Sequence, residues 1–404
     1  MARSKRDIPA DDVAVALMHI GNHTPKEIAL RLKIDEAEVS RSLKRTRGLY
    51  WKQANIVEGP ALGQVPELLK QRAKARLEST SLRPIRAAQL MQLAGTSLQH
   101  LRSVEVVAAE CSLPLETDTQ TWSGWMTVFA RLAAPKVRPL FNGGSTFGVT
   151  WGSHVSGLVD AMALESDGAR RRAMRVLPLC GNRNGDRLVS ESSSAVAERL
   201  GIALAGEVSL PSALNLVPAF ILGDLSDDAT IPLWMQVGRS EGYCEIFGID
   251  RIPAAARPAA PCKSAWVDRL DGVLTSVSRD DHPFGYGVNR MYENAGYQRE
   301  LIARAYIGDI GGVGLVRPGE AALPIVEQRW TGVRGIELLA CATRAAAANN
   351  GVPGVVVVAS GAGRATSLIE SVRLGFVSHI IIDESLNKEL VRRMQQASVR
   401  GGKG

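Results

Sequence analysis

Cysteine is scarce and irregularly placed in this chain: Cys111, Cys180, Cys244, Cys262 and Cys341 are odd in number, scattered, and never in C-x-x-C spacing. That excludes a disulfide framework and a thiolate metal site, and it suits a reducing compartment. Histidine is nearly as sparse. Of the six, only His19 and His23 stand four apart, and Gly21 and Asn22 between them fit a helix end better than a ligand pair. No metal and no cofactor is therefore expected. Long apolar runs are missing too: Leu210–Leu222 and Val355–Ala359 are short or broken by proline, and the basic stretch Met1–Arg6 is followed by no apolar segment. Neither a membrane span nor a secretion signal is visible, which gives a cytoplasmic expectation. Nor does any glycine-rich turn lead into Gly-Lys-Ser/Thr or complete a dinucleotide fingerprint. What is present is an apolar fraction of 45% with 5% aromatics, ordinary for an α/β protein, in 404 residues that suit a small module plus a core of about 300.

Charge divides the chain. Residues 1–103 hold 18 Lys and Arg against 10 Asp and Glu, whereas residues 104–404 hold 30 against 31. A positive first quarter on a neutral body is what a nucleic-acid-binding head looks like, because phosphate neutralisation supplies most non-specific affinity. Local patterning sharpens this. Val13–Ile20 has the apolar spacing of a first helix. Thr24-Pro25-Lys26-Glu27 is a capping box opening a second, with Ile28, Ala29 and Leu32 inward. Asp35 caps a third, with Glu38 at its N3 position and Val39 and Leu43 as the buried stripe. Two short helices joined by three or four residues make a helix-turn-helix over residues 1–50. Ser40, Arg41, Lys44, Arg45 and Arg47 lie on the outer face of the third helix, in reach of bases and phosphates of double-stranded operator DNA. The acidic Asp35, Glu36 and Glu38 at its front are unfavourable near phosphates and imply either a tilted docking or a front turn withdrawn from the DNA.

Residues 51–103 read as a connector: a loop at Gly59-Pro60 and Gly63, then helices at Pro66–Ser79 and Pro84–Leu93 that link and pair subunits. From Val104 to 404 strands and helices alternate. Strands are expected at Val104–Ala109, Arg175–Leu179, Cys244–Gly248, Val355–Ala359 and Ile380–Ile382. Helices are expected at Gln120–Ala133, with Trp122, Trp125 and Phe129 inward, and at Ser192–Leu200 and Arg364–Leu374. A last helix is capped by Asp383. Apolar runs separated by helices imply a doubly wound, mostly parallel α/β sheet, whose ligands bind beyond the carboxyl ends of the strands. Two glycine turns, Gly143–Gly152 and Gly361–Gly363, fall at that edge. The first, read as a turn that opens a helix, offers backbone N–H groups and a positive helix end to an anion.

The order of a capped helix-turn-helix, F-G-V-T-W-G-S-H (Phe147–His154), A-Y-I-G-D-I-G-G (Ala305–Gly312), V-V-V-A-S-G-A-G-R-A-T-S-L-I (Val356–Ile369) and I-I-I-D-E (Ile380–Glu384) resembles the SorC family of bacterial transcriptional regulators. The resemblance covers most of the chain. It implies a carboxyl domain similar to sugar-phosphate isomerases and deaminases, without catalysis, that binds a phosphorylated sugar or polyol effector and so alters operator binding. Residue by residue, it places the phosphate contacts on Gly152, Ser153 and His154, a sugar-hydroxyl contact on Asp309 and a cation on Arg364. Members commonly have W-G-R-T or G-G-T-T where this chain has Trp151-Gly152-Ser153-His154, and lysine where it has Arg364. His154 is then a pH-dependent phosphate partner, and Arg364 a bidentate one that forms no Schiff base. A dimer or tetramer is expected, since one small head is too small for operator discrimination. The competing class is a sugar-phosphate isomerase or deaminase with a basic extension.

Overall fold

In a computed structural model the described residues are 12, 14–16, 19, 24–46, 84–109, 119–164, 174–182, 192–205, 214, 217–221, 227–240, 242–258, 265–279, 299–347 and 351–401. The expected helix Pro66–Ser79, the loop at 59–63, Arg47, Cys111 and Cys262 lie outside them, as do the side chains of Trp122 and Trp125.

In the head, residues 12, 14–16 and 19 are helical, and Ala14, Val15 and Ala16 are buried. Helix α1 (Pro25–Leu32) opens on Thr24, whose hydroxyl accepts from the Glu27 N–H while Glu27 returns the bond to the Thr24 N–H at 2.8 Å. This reciprocal pairing satisfies two of the four N–H groups that a helix start leaves over. Lys33 ends the helix at φ 54°, and α2 (Glu36–Thr46) begins after Asp35, whose carboxylate accepts from the Glu38 N–H at 2.6 Å. Ile28, Ala29, Leu32, Val39 and Leu43 are buried, as their spacing requires.

The body begins with α3 (Ala87–Ala94) and β1 (Ser103–Val107), then α4 (Thr119–Val137), β2 (Thr146–Val149), α5 (Ser153–Leu164), β3 (Arg175–Pro178) and α6 (Ser193–Ala205). It continues through α7 (Asp227–Arg239), α8 (Tyr243–Phe247), β4 (Gly272–Thr275), α9 (Arg299–Ala305) and the strands β5 (Tyr306–Ile310) and β6 (Val313–Val316). The remainder is α10 (Pro324–Arg329), α11 (Gly335–Ala347), β7 (Gly354–Ala359), α12 (Ala365–Arg373), β8 (His379–Asp383) and α13 (Glu384–Gly401). Six strands form one sheet in the order β1-β8-β7-β4-β2-β3, and every pairing in it is parallel. Helices α4, α5 and α6 bury one face, and α11 and α12 the other, so the sheet is doubly wound as the apolar runs require. The central strands β7 and β8 are buried at every position, which is why Val355–Ala359 reads as a continuous β-branched run rather than an alternation.

Two expectations are corrected. Cys244–Gly248 is not a strand: residues 243–247 form α8, and the Gly248 N–H donates back to the Cys244 carbonyl at 2.8 Å. A five-residue apolar run does not separate the two periods, and glycines at φ 83° (Gly242) and 84° (Gly248) close the chain into a helical turn. Likewise Gly143–Gly152 is not one turn but contains β2. Gly148 sits in the strand because a Cβ there would stand 2.3 Å from the Leu179 side chain of β3; its absence reflects strand packing, not a loop. The antiparallel hairpin β5–β6 stands outside the main sheet, and an isolated bridge from Ile310 to Val277 links it to the end of β4.

Candidate functional site

The loops that leave β2, β4 and β7 share the carboxyl edge of the sheet with the β5–β6 turn. Thr150 and Thr275, at the ends of β2 and β4, are joined hydroxyl to hydroxyl at 2.9 Å. Gly311 stands directly above them: a Cβ there would meet Thr275 Oγ1 at 2.5 Å and the Thr150 methyl at 2.7 Å. Gly152, at φ 119°, turns the chain into α5, and a Cβ on it would lie 3.3 Å from Ser276 Oγ. Both positions need glycine, the first for close approach and the second for its backbone angle.

Each residue expected at the site takes part in this edge. Asp309 is 6% exposed; its carboxylate accepts from the Gly312 N–H at 2.8 Å, and its own N–H donates to Ser278 Oγ at 2.8 Å. Ser360, just past β7, joins two of the others. His154 Nε2 lies 2.6 Å from Ser360 Oγ, and Arg364 Nη1 donates to the Ser360 carbonyl at 2.5 Å. Gly152 and Ser153 are half-buried, as are Ser276, Ser278, Arg279, Ala362 and Gly363 in the neighbouring loops. Arg279 adds a cation that sequence reasoning missed: a Cβ on Gly363 would be 3.8 Å from its Nε. No glycine punctuates Thr275–Arg279, so neither β4 nor this loop gives a signal in the sequence.

The expectation for His154 is corrected. It is buried at 4% exposure, edge-on to the Phe129 ring at 5.9 Å, and committed to Ser360. Burial, and then the Arg364 charge, hold its imidazole well below the usual histidine value. It is a neutral hydrogen-bonding strut at neutral pH rather than a titrating cation. His379 on β8 is similar: burial and then Arg102 bring it down to about 4, with its Nδ1 2.7 Å from Ser103 Oγ. Both folded values lie below the unfolded value of about 6.5, so this share of the stability is complete above that pH and lost as pH falls. The expected result is that the unfolding free energy from denaturant titrations declines on acidification from pH 6.5 to 5, with a slope approaching about 1.4 kcal/mol per pH unit for each histidine that stays neutral in the fold. A His154→Gln, His379→Asn double variant should lose that slope; an unchanged slope refutes the assignment.

On α2 the outward stripe is Ala37, Ser40, Arg41 and Lys44, all exposed. Arg45, expected at the DNA, also has a structural role within the head. Its Nε and Nη2 each donate at 2.7 Å to the two oxygens of Asp12, whose side chain is 4% exposed, and Nη2 also reaches Glu38 at 2.6 Å. Burial opposes ionisation of Asp12, but the bonds from Arg45 and Ser42 outweigh it and hold the carboxyl below its ordinary value. Arg45→Ala should therefore destabilise the head by about 1–3 kcal/mol, the cost of stranding a buried carboxylate, whereas Lys44→Ala should leave stability unchanged. Equal thermal midpoints for the two variants would contradict this. Arg41 rests on Glu38 at 2.8 Å, so two of the three acids at the front of α2 are engaged within the head: Glu38 with arginines, Asp35 as the cap.

No described helix is long and apolar enough to cross a membrane, and among the described residues no cluster of His, Cys, Asp and Glu could hold a metal ion.

No family model and no curated protein matches the sequence. Among solved structures, the chain is similar to the full-length sorbitol operon regulator SorC from Klebsiella pneumoniae, at 16% identity over 95% of this chain and 99% of that one, with a TM-score of 0.49. It is also similar to a DeoR family transcriptional regulator from Listeria monocytogenes, at 16% identity over 79% and 99%, TM-score 0.48. A transcriptional regulator from Streptococcus pneumoniae follows at 15% over 77% and 96%, TM-score 0.47. What this chain does is argued from its own residues.

Proposed function

We infer that this chain is a DNA-binding transcriptional regulator whose operator affinity is set by a small phosphorylated sugar or polyol. The observation that carries this reading is the presence, in one chain, of a doubly capped helix-turn-helix with Ser40, Arg41 and Lys44 outward and a cluster of carboxyl-edge loops that combines anion and hydroxyl partners. In that cluster, Gly152 and Ser153 at the start of α5 offer an oxyanion the N-terminal N–H groups and dipole of a twelve-residue helix. Arg279 and Arg364 supply positive charge, and Asp309, Ser276 and Ser278 supply partners for hydroxyls. Binding rather than turnover is what these groups support. A general base must reach the substrate proton, and His154 and Asp309 are already engaged with Ser360 and the Gly312 amide. Operator discrimination calls for paired heads, so the assembly is a dimer or tetramer in the cytoplasm.

The test is a thermal-shift screen of the full chain against phosphorylated sugars and polyols and their unphosphorylated counterparts. DNA selected from a random pool is then titrated in the presence and absence of each stabilising compound. Stabilisation by a phosphorylated compound that also changes DNA affinity supports the reading; stabilisation without any effect on DNA, or turnover of the compound, overturns it.

A further inference from the structure

Residues 84–102, which precede the sheet, are seated on the two helices that leave the candidate site. Helix α3 buries Leu90, Met91 and Ala94 in one cluster with Ala365, Leu368 and Val372 of α12 and with Leu386 and Leu390 of α13. Helix α12 starts where the turn carrying Ser360 and Arg364 ends, and α13 starts at the residue after Asp383.

Asp383 locks those two starts together: its Oδ1 accepts from the Gly361 N–H at 2.9 Å and from the Leu386 N–H at 3.0 Å. A second tie joins the same helices, from Arg393 Nη1 to Thr366 Oγ1 at 2.8 Å. One turn beyond Asp383 on the same face, the Asn387 Oδ1 accepts from the Ile85 N–H at 2.9 Å, and both residues are buried. At the other end of the segment, His100 Nδ1 lies 2.8 Å from the Gly375 carbonyl, just past α12. Gly375 needs to be glycine there, because a Cβ would stand 2.6 Å from Leu98.

Asn387 is the telling group. Its Oδ1 makes the bond to Ile85, and its Nδ2 is buried with no hydrogen-bond partner among the described residues, so this one amide bond ties the start of α3 to α13. We propose that α3, hinged on the Asn387–Ile85 bond, is the element that carries the state of the Ser360–Arg364 turn to the DNA-binding head. Displacement of that turn pulls on Gly361 and Asp383, tilts the first turn of α13, and so loads or releases residues 85–94. The regulatory meaning rests on the proposed function; the mechanical coupling does not.

Hydrogen exchange of the full chain, without DNA or effector, tests the coupling. Asp383→Ala should speed exchange about tenfold in residues 361–368, the scale of one charge-assisted bond lost, and comparably in residues 85–94. Asn387→Ala should do the reverse, loosening 85–94 first and 361–368 with it, because coupling between sites is reciprocal. Residues 153–164, on the opposite face, should keep their wild-type protection in both. If Asp383→Ala unfolds the chain, Asp383→Asn is read in its place, since it keeps the shape and loses the charge. Acceleration confined to each variant's own segment overturns the proposal. Reciprocal acceleration supports it, and supports it equally if inorganic phosphate and phosphorylated sugars leave both segments unmoved, a result that would count against the effector reading alone.

Discussion

Replacing Arg41 and Lys44 together by alanine is expected to abolish specific operator binding while the fold and any ligand response of the body survive. Both side chains project from the outward stripe of α2, and neither supports the buried stripe of Val39 and Leu43. A bidentate base contact from Arg41 is worth about 1–3 kcal/mol, roughly 5- to 150-fold in affinity, and the lost Lys44 charge adds a salt-dependent factor to it. Lys44→Ala alone should lower affinity across all sequences and reduce the slope of log affinity against log salt by about one, the signature of a phosphate contact. Arg41→Ala should instead relax discrimination at one base pair. Arg41 must leave Glu38 to reach DNA, so part of its contribution is offset by the 2.8 Å ion pair it gives up, and Glu38→Gln should strengthen binding. Unchanged footprints from the double variant would remove the helix-turn-helix assignment.

The head was legible in the sequence because its signals are local. Thr24 and Glu27, and Asp35 and Glu38, stand three residues apart, and each pair makes the bond its spacing implies, with Pro25 at the first helical position between the first two. The structural partner of Arg45 was missed for the opposite reason: Asp12 lies 33 residues away, on a helix whose orientation no local pattern reveals. The sheet shows the same division. Val355–Ala359 and Ile380–Ile382 announce strands buried on both faces, but β4 (Gly-Val-Leu-Thr) is too short and too weakly punctuated to stand out, although it is the strand on which the site turns. The role of His154 was hidden because Ser360, 206 residues away, takes its ring nitrogen, and burial does the rest. What remained unreadable, then, was the set of contacts made across crossovers between loops that share an edge and no sequence neighbourhood.

The second large effect is expected at that edge. Arg364→Ala and Ser153→Ala should both eliminate the effector response, and Ser153→Ala should do so with operator affinity without effector at the wild-type level, the converse of the Arg41 and Lys44 phenotype. Arg364 is buried at 7% exposure and holds the Ser360 carbonyl, so its replacement removes both a cation beside the oxyanion and a strut of the turn. Each charge-assisted bond is worth about 1.5–3 kcal/mol, or roughly 10- to 150-fold in effector affinity. Arg364→Lys separates the two contributions: it keeps the charge but not the planar fork, so partial recovery of affinity assigns the loss to charge and no recovery assigns it to geometry. Because His154 is held neutral, effector affinity should be flat from about pH 6.5 to 8, apart from the titration of the phosphate itself, rather than falling as it would beside a cationic imidazole. An effector acts on DNA only through a difference in its affinity for two arrangements of the protein, so Ser153→Ala, which leaves the Ser360–Arg364 turn intact, should keep the ligand-free operator affinity, whereas Arg364→Ala, which removes a strut of that turn, should shift it. The decisive experiment is an anisotropy titration of labelled operator with each variant, with and without the compound that stabilises the wild-type chain. A wild-type response from both Arg364→Ala and Ser153→Ala would show that the carboxyl-edge loops are structural and that any sensing occurs elsewhere.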